Sequence, residues 1–590
     1  MSRLVSPHEL LSHSTSGSHT APLLSQKIFA KCHQARLHSI MRVSSARIEL
    51  RKAHIEIDGV SVVTQPDLLP VPQNARTWNT LHLGGYWIAE AFGISQYQVA
   101  STALAAGLSP GAAIGAVFFG HFLVCTLLNS PTSVSESRLT ALACAANGWI
   151  GTRHGINFPV LARISFGVYG NLVAIMCRAV AAIVWFGTQT FQGGQCVEVM
   201  LRAIFPSFKH FPNRLPPSAH VTSSQLLSFF IFYLIQLPLL WVHISRLRHL
   251  FMLKVVLMPI FGFALFGWAV GRAHGFGPIF SQPTQVAGAP AVVVFFSAMT
   301  SAIAPKATLA LNICDFTRFA KSPTAVIWTN ILSLSIPVTL CAILGVVVTS
   351  ATQVIYGVST WNPLQVCELW DNRAAQFFAA FCWGLAVLAT NISAKWVLLL
   401  TYMRSCLFSD DEFSSTAVGN DLTVLFPRFV DIRRGQYICA ILGLATCPWI
   451  IQNSATSFTA FLAGYSIFLG PICGILLADF FIYRRKRVDI LSLYQRETSL
   501  YWYTYGVNPR AIVAFLLALV PNLPGFAARV NRNIKVPVGA TYVFALVWPI
   551  GVIVGAVCYL AFTWVWPPIK RQRGYDSPPQ SIMSQDDLPK

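Results

Sequence analysis

The sequence predicts an all-α polytopic membrane protein with twelve transmembrane helices, arranged as two inverted five-span repeats with two extra spans at the end. Three observations lead there. About a dozen stretches of roughly twenty residues are almost wholly apolar, the length a helix needs to cross ~30 Å of hydrocarbon. Hydrophobic residues make up 54% of the chain and charged ones only 11%. Sequence able to break a helix occurs one span and again six spans into the chain, the spacing expected of two inverted repeats.

Taken in order, the spans fall near 82–106, 110–150 (interrupted), 168–192, 224–243, 250–271, 290–311, 325–349, 376–400, 435–452, 455–482, 511–527 and 540–566. An even number puts both termini on one side, and that side collects the basic residues. It holds Arg36, Arg42, Arg47, Arg51 and Lys52 before the first span, then Arg153 and Arg163, then Arg246 and Arg248. Arg318 and Lys321, Arg428, Arg433 and Arg434, the run Arg484, Arg485, Lys486 and Arg487, and finally Lys570, Arg571 and Arg573 continue the bias. The opposite connections are poorer in basic residues and locally acidic near Glu368 and Asp371. By the positive-inside rule both termini are expected in the cytoplasm, with the plasma membrane as the expected destination. The formal charge of +20 is therefore a topology signal, and no nucleic-acid partner is expected. Lipid surrounds the core.

Residues 1–78 read as a cytoplasmic tail, 79–566 as the transporter core and 567–590 as a second tail, with 1–60 and 570–590 expected to be flexible. The first 40 residues are Ser- and His-rich without an apolar core, so the first span is expected to act as an uncleaved insertion signal. The 14 cysteines lie mostly in apolar spans, as Cys177, Cys341 and Cys382 do, without metal spacing. They read as packing residues.

No Gly-rich phosphate loop, His/Glu metalloprotease signature or Ser elbow occurs, and no soluble domain is visible. An enzyme is not expected, nor any cofactor. Secondary transport is the default reading, with a channel, which would more often show repeated pore loops and fewer spans, and a membrane enzyme left open. Broken helices point to the site, because unwound backbone at membrane depth is tolerated where it lines a cavity. In the first span Glu90 precedes Ala91-Phe92-Gly93-Ile94-Ser95-Gln96. The sixth carries Ser301-Ala302-Ile303-Ala304-Pro305-Lys306-Ala307-Thr308, a second expected break. In the third, Trp185 and Gln189 stand four apart and share one helix face. A stacking ring one turn from an amide suits a flat heterocycle with imide or ureide edges.

Three motifs then carry a family resemblance. Gln65-Pro66-Asp67-Leu68-Leu69-Pro70 with Pro72 and Arg76-Thr77-Trp78 precedes the first span; Phe158 to Gly167 and Ala307 to Phe319 supply the other two. Together they resemble the nucleobase-cation-symporter-one family over about residues 65–566, and Gly419-Asn420-Asp421-Leu422, Asn522-Leu523-Pro524-Gly525 and Lys306 look most like its fungal uracil and allantoin permease branch. The resemblance implies a LeuT-like fold. It places Trp185, Gln189, Lys306 and Asn391 around a heterocycle of the uracil, allantoin or urate class. It also implies a cation site at Ala91, Ile94, Ala386, Ala389 and Thr390. Bacterial relatives have a hydroxyl where Ala389 stands here, so loss of a hard oxygen weakens sodium and favours a proton, with Glu90 as the coupling group. Related branches keep open a permease for uridine, thiamine or nicotinamide riboside, and another class keeps open a non-transporting sensor.

One departure is large. After Ala394 the family pattern expects Asn-Ser, but residues 395–414 intervene before Ser415-Thr416-Ala417-Val418-Gly419-Asn420-Asp421 resumes. Position 395, Lys395 in this chain, is where a substrate-binding Asn is expected. A short intron can be back-translated into this segment, and its removal restores an Asn codon. Residues 127–142, which put Asn, Ser, Pro, Glu and Arg into apolar sequence, read as a second non-family insertion.

Overall fold

The computed structural model describes residues 53–57, 60–64, 68–126, 143–241, 244–281, 285–286, 288–393, 425, 430, 432–495, 499–531 and 533–568. Both suspected insertions and Lys395 lie outside the described residues, as do most of the two tails. Within the stretch read as tail there is one departure. Ala53–Ile57 and Val60–Thr64 pair as an antiparallel hairpin with Ile57 opposite Val60. Its strands are rich in β-branched residues, and Asp58-Gly59 stands between them, a dipeptide that two-residue hairpin connections favour.

The rest is helical. The first predicted span is α1 (Thr80–Ala91) and α2 (Ile94–Ala105), parted at Phe92 and Gly93, both in extended conformation. Asn79 caps α1 by accepting from the amides of Leu81 and His82, while the His82 ring accepts from the Asn79 amide, so the start of the helix is fixed. Next come α3 (Pro110–Thr126), α4 (Ala143–His154), the connecting helix α5 (Phe158–Phe166), and α6 (Asn171–Ile204), which runs twelve residues past its predicted end. The extension stays helical because Cys196, Val197, Val199 and Ala203 continue its buried face. Then follow α7 (Ser223–Trp241), α8 (Ile244–Arg272), α9 (Ala289–Asn312), α10 (Pro323–Tyr356) and α11 (Arg373–Ser393). The series ends with α12 (Ile432–Ala445), α13 (Ala455–Leu477), α14 (Pro509–Leu519) and α15 (Val547–Val565). Among the described residues, nine helices are long and apolar enough to cross a membrane, fewer than the twelve predicted. The first, second and ninth predicted spans are missing from the nine because they are divided or short.

The predicted break in the sixth span is corrected. α9 runs unbroken from Ala289 to Asn312 through Pro305. A proline removes one backbone donor, here the one the Ser301 carbonyl would accept, and inside a membrane bundle such a loss is tolerated without unwinding.

Two bodies emerge from the packing. α10 packs on α1, α2, α3 and α4, and α9 packs on α3 and α4. α6 packs on α7, α11 and α12. α8 touches both bodies, through α10 and α11. Behind them α13 and α15 are pressed together at glycines. A methyl group on Gly470 would stand 2.8 Å from the Trp548 carbonyl oxygen, and one on Gly555 would stand 2.9 Å from that of Pro471. Backbones can come this close only where no Cβ intervenes.

Candidate substrate and coupling site

A cavity sits where the break between α1 and α2 meets α6, α9, α11 and α12. Its α6 wall is the face carrying Arg178, Ala182, Trp185, Phe186 and Gln189. The spacing of three and four residues lines them up along one side of the helix. Trp185 is held edge-on by α13, its ring centroid 5.5 Å from that of Phe461, 6.4 Å from Tyr465 and 6.5 Å from Phe458. Edge-to-face contacts of this kind fix an indole plane.

Glu90 and Lys306 meet. Lys306 Nζ lies 4.0 Å from Glu90 Oε2, with the lysine side chain 1% exposed and the glutamate 14%. It also donates to the Glu90 carbonyl oxygen at 3.5 Å. That carbonyl is in the last turn of α1, where the break leaves backbone acceptors without a helical partner and the helix dipole favours a cation. The lysine predicted to face substrate therefore also caps the broken helix. It lies 5.9 Å from the ring of Trp87, whose Nε1 donates to Asn330 Oδ1 at 2.8 Å.

The predicted cation residues separate into two groups. Ala91 and Ile94 flank the break and are buried, and Ala386 and Ala389 are buried on α11. Of the five, only Thr390 is among the cavity-lining residues. Its hydroxyl donates to the Ala386 carbonyl oxygen at 2.8 Å and accepts from Lys254 Nζ at 2.5 Å. Lys254, 2% exposed, comes from α8 and was not singled out in the sequence, although a lysine within the predicted span 250–271 is itself a signal.

Asn391 lines the cavity, but its amide is directed at the scaffold. Nδ2 lies 2.9 Å from Thr190 Oγ1, 3.0 Å from Gln236 Oε1 and 3.3 Å from Phe186 O, sharing two hydrogens among three acceptors. Sequence reasoning also missed a chain of amides beside the cavity. Ser95 Oγ donates to Gln192 Oε1 at 3.1 Å, Gln192 Nε2 to Gln98 Oε1 at 2.8 Å, and Gln98 Nε2 to Gln452 Oε1 at 3.2 Å. The partners are up to 354 residues apart, so no local pattern announces them.

Known proteins agree with this architecture. Residues 70–410 and 410–551 match the family described as permease for cytosine/purines, uracil, thiamine, allantoin. The chain belongs to this permease family. The allantoin permease of Saccharomyces cerevisiae is 32% identical over 85% of this permease and 75% of its own length. The uracil permease of the same yeast is 31% identical, over 86% and 78%. An uncharacterized permease of Schizosaccharomyces pombe is 33% identical, over 86% and 80%. Among solved structures, inward-facing Mhp1 superposes with a TM-score of 0.64 at 20% identity, covering 86% of this permease and 95% of Mhp1. Closed Mhp1 with bromovinylhydantoin bound, a nucleobase-cation-symport-1 family transporter, gives 0.61 at 21%, covering 85% and 96%. The permease therefore has the LeuT-like inverted-repeat fold and is a membrane transporter, not an enzyme.

Proposed function

We propose that this permease imports a nucleobase or ureide of the uracil, allantoin or urate class by proton symport across the plasma membrane, with both termini cytoplasmic. The observation that carries the reading is one cavity holding the stacking ring of Trp185, the amide of Gln189 and the buried Lys306–Glu90 pair. The ring supplies a platform and the amide a donor and acceptor for an imide edge. Lysine beside glutamate allows a heterocycle with anionic character to enter without leaving a buried charge uncompensated. The yeast relatives named for allantoin and uracil favour this class.

Proton coupling is supported by Lys254. Its ammonium bonds the Thr390 hydroxyl, one of the oxygens a sodium ion would need, and a second cation there would be repelled. With Ala389 offering no side-chain oxygen, the coupling group in this reading is Glu90, whose carboxylate lies 4.0 Å from Lys306 Nζ. Transport follows alternating access, in which substrate and proton favour the same closed state and so raise each other's affinity.

Residues 395–414 are read as retained-intron sequence, and the milder anomaly at 127–142 is read as an insertion of the same origin, without splice signals of its own. The family match divides at residue 410, within the first of these segments, which supports the reading. The test is uptake of radiolabelled uracil, allantoin and urate in a host lacking such transporters, with the chain as written and with a form spliced to Asn at 395. The spliced form should accumulate at least one of the three, faster as external pH falls and equally well with choline in place of sodium. Glu90→Gln should flatten the pH profile. Uptake of none of them, or dependence on sodium, refutes the substrate class or the coupling ion respectively. Robust uptake by the unspliced product of a dominant transcript refutes the intron reading.

A further inference from the structure

We infer that the Arg178–Asp315 ion pair is the inner gate of the transport path, the contact that must part before substrate leaves toward the basic, cytoplasmic end. Arg178 Nη1 donates to Asp315 Oδ2 at 3.2 Å, with side chains 1% and 4% exposed. Arg178 is also the cavity-lining residue of α6 two helical turns from Trp185, on the side of the basic connections. The guanidinium lies 4.2 Å from the Phe158 ring, and the other carboxylate oxygen, Asp315 Oδ1, accepts from the Phe158 amide at 2.7 Å.

What makes this pair a gate is the pair of bodies it joins. Asp315 sits in the short helix Cys314–Thr317 at the end of α9, and this end is bound to α4. Thr317 Oγ1 donates to Gly148 O at 2.8 Å, Thr152 Oγ1 to Thr317 O at 2.9 Å, and Asn147 Nδ2 to Ala310 O at 2.7 Å. Phe158 and Arg178 belong to the other side. α5 is bound to α6 by Asn171 Nδ2 donating to Pro159 O at 3.0 Å. It is bound to the far part of the chain by Asn508 Nδ2 to Ser165 O at 2.6 Å and Ser165 Oγ to Asp479 Oδ2 at 2.9 Å. Each side is stitched internally, the second in part through Asp479, which Arg484 Nε pairs at 3.0 Å, and Asp315 reaches across. A neutral crossing joins Tyr494 Oη to Leu68 O at 2.8 Å. Two bodies that move relative to each other must break what spans them, and the spanning charge pair is at the cavity floor. Closed, it seals the floor; parted, it leaves a guanidinium facing the exit.

The inference rests on the transport reading and its orientation, but its test needs no substrate. A cysteine at the cavity floor, Leu309→Cys, is labelled by a membrane-impermeant thiol reagent in inside-out vesicles, and labelling is scored above the same chain without that cysteine. Asp315→Asn keeps an acceptor for the Phe158 amide and removes the charge; it should raise the labelling rate about tenfold, a modest shift of a two-state equilibrium. Asp315→Glu, which keeps both the charge and an acceptor, should label at close to the parent rate. Unchanged labelling in Asp315→Asn at normal membrane levels overturns the gate. So does equally raised labelling in Asp315→Glu, which would mean that loosened packing alone opens the floor. If Asp315→Asn does not reach the membrane, Arg178→Lys, which keeps the charge and loses the fork, should raise labelling by a smaller factor, and no rise overturns the gate. Loss of heterocycle uptake with intact gating would sink the substrate reading alone.

Discussion

The two ends of the cavity seam are closed by different chemistry. Toward the basic connections, a carboxylate from one body meets a guanidinium and a helix N-terminus of the other. At the amide end, where α2 faces α6, the crossing is a neutral chain running through Ser95, Gln192, Gln98 and Gln452. The difference matters because the two kinds of contact break at unequal cost. A neutral hydrogen bond contributes about 1 kcal/mol net, and its partners readily accept water. Separating a buried ion pair leaves charge in a poor solvent, and removing one partner typically costs about 3–5 kcal/mol. A transporter closed this way opens easily at the amide end. It opens at the ionic end only when something else satisfies the charges.

The largest expected effect tests that asymmetry directly. Asp315→Ala should destabilise the folded protein by about 3–5 kcal/mol, because the buried Arg178 loses its carboxylate partner. Thermal or detergent denaturation of purified protein measures it, and a loss below that of Gln452→Ala would break the comparison. Trp185→Ala comes second. Base–aromatic stacking is worth about 1–3 kcal/mol, so uptake should fall to background at normal surface levels. Unchanged transport would remove Trp185 from the substrate site and leave the amide end as a gate without a platform beneath it. Gln452→Ala should have the smallest effect, about 1 kcal/mol in the same denaturation assay, since Gln98 keeps its bond to Gln192. A cost equal to that of Asp315→Ala would show that the two ends are closed with similar strength.

How much of this was legible beforehand follows from the range of each interaction. Trp185 with Gln189 and the break after Glu90 depend on neighbours within one or two helical turns, and the sequence displays them. The continuity of α9 did not follow from its composition, because the consequence of Pro305 depends on which neighbours absorb the missing donor. Asn391 lines the cavity, but its amide is held by Thr190 and Gln236, partners 201 and 155 residues away. Arg178 and Lys254 are legible as charges in apolar spans, but the partners that give them a role are not. Their partners Asp315 and Thr390 lie 137 and 136 residues off. The amide chain had no signal of its own, since glutamines in apolar helices carry neither charge nor period.

The glycine seam between α13 and α15 has a mechanical consequence. It fastens α13 around Gly470 and Pro471, while Phe458, Phe461 and Tyr465 lie nearer the other end of the same helix, which packs on α9 and α6. Thirteen residues separate Phe458 from Pro471, so at ~1.5 Å per residue the lever is roughly 20 Å long. A tilt of about 10° at the fastened end would carry the Phe458 ring about 3 Å, close to the thickness of one aromatic ring. The helix is thus geared: a rotation small enough to leave its weld intact is enough to shift the rings that hold Trp185 edge-on.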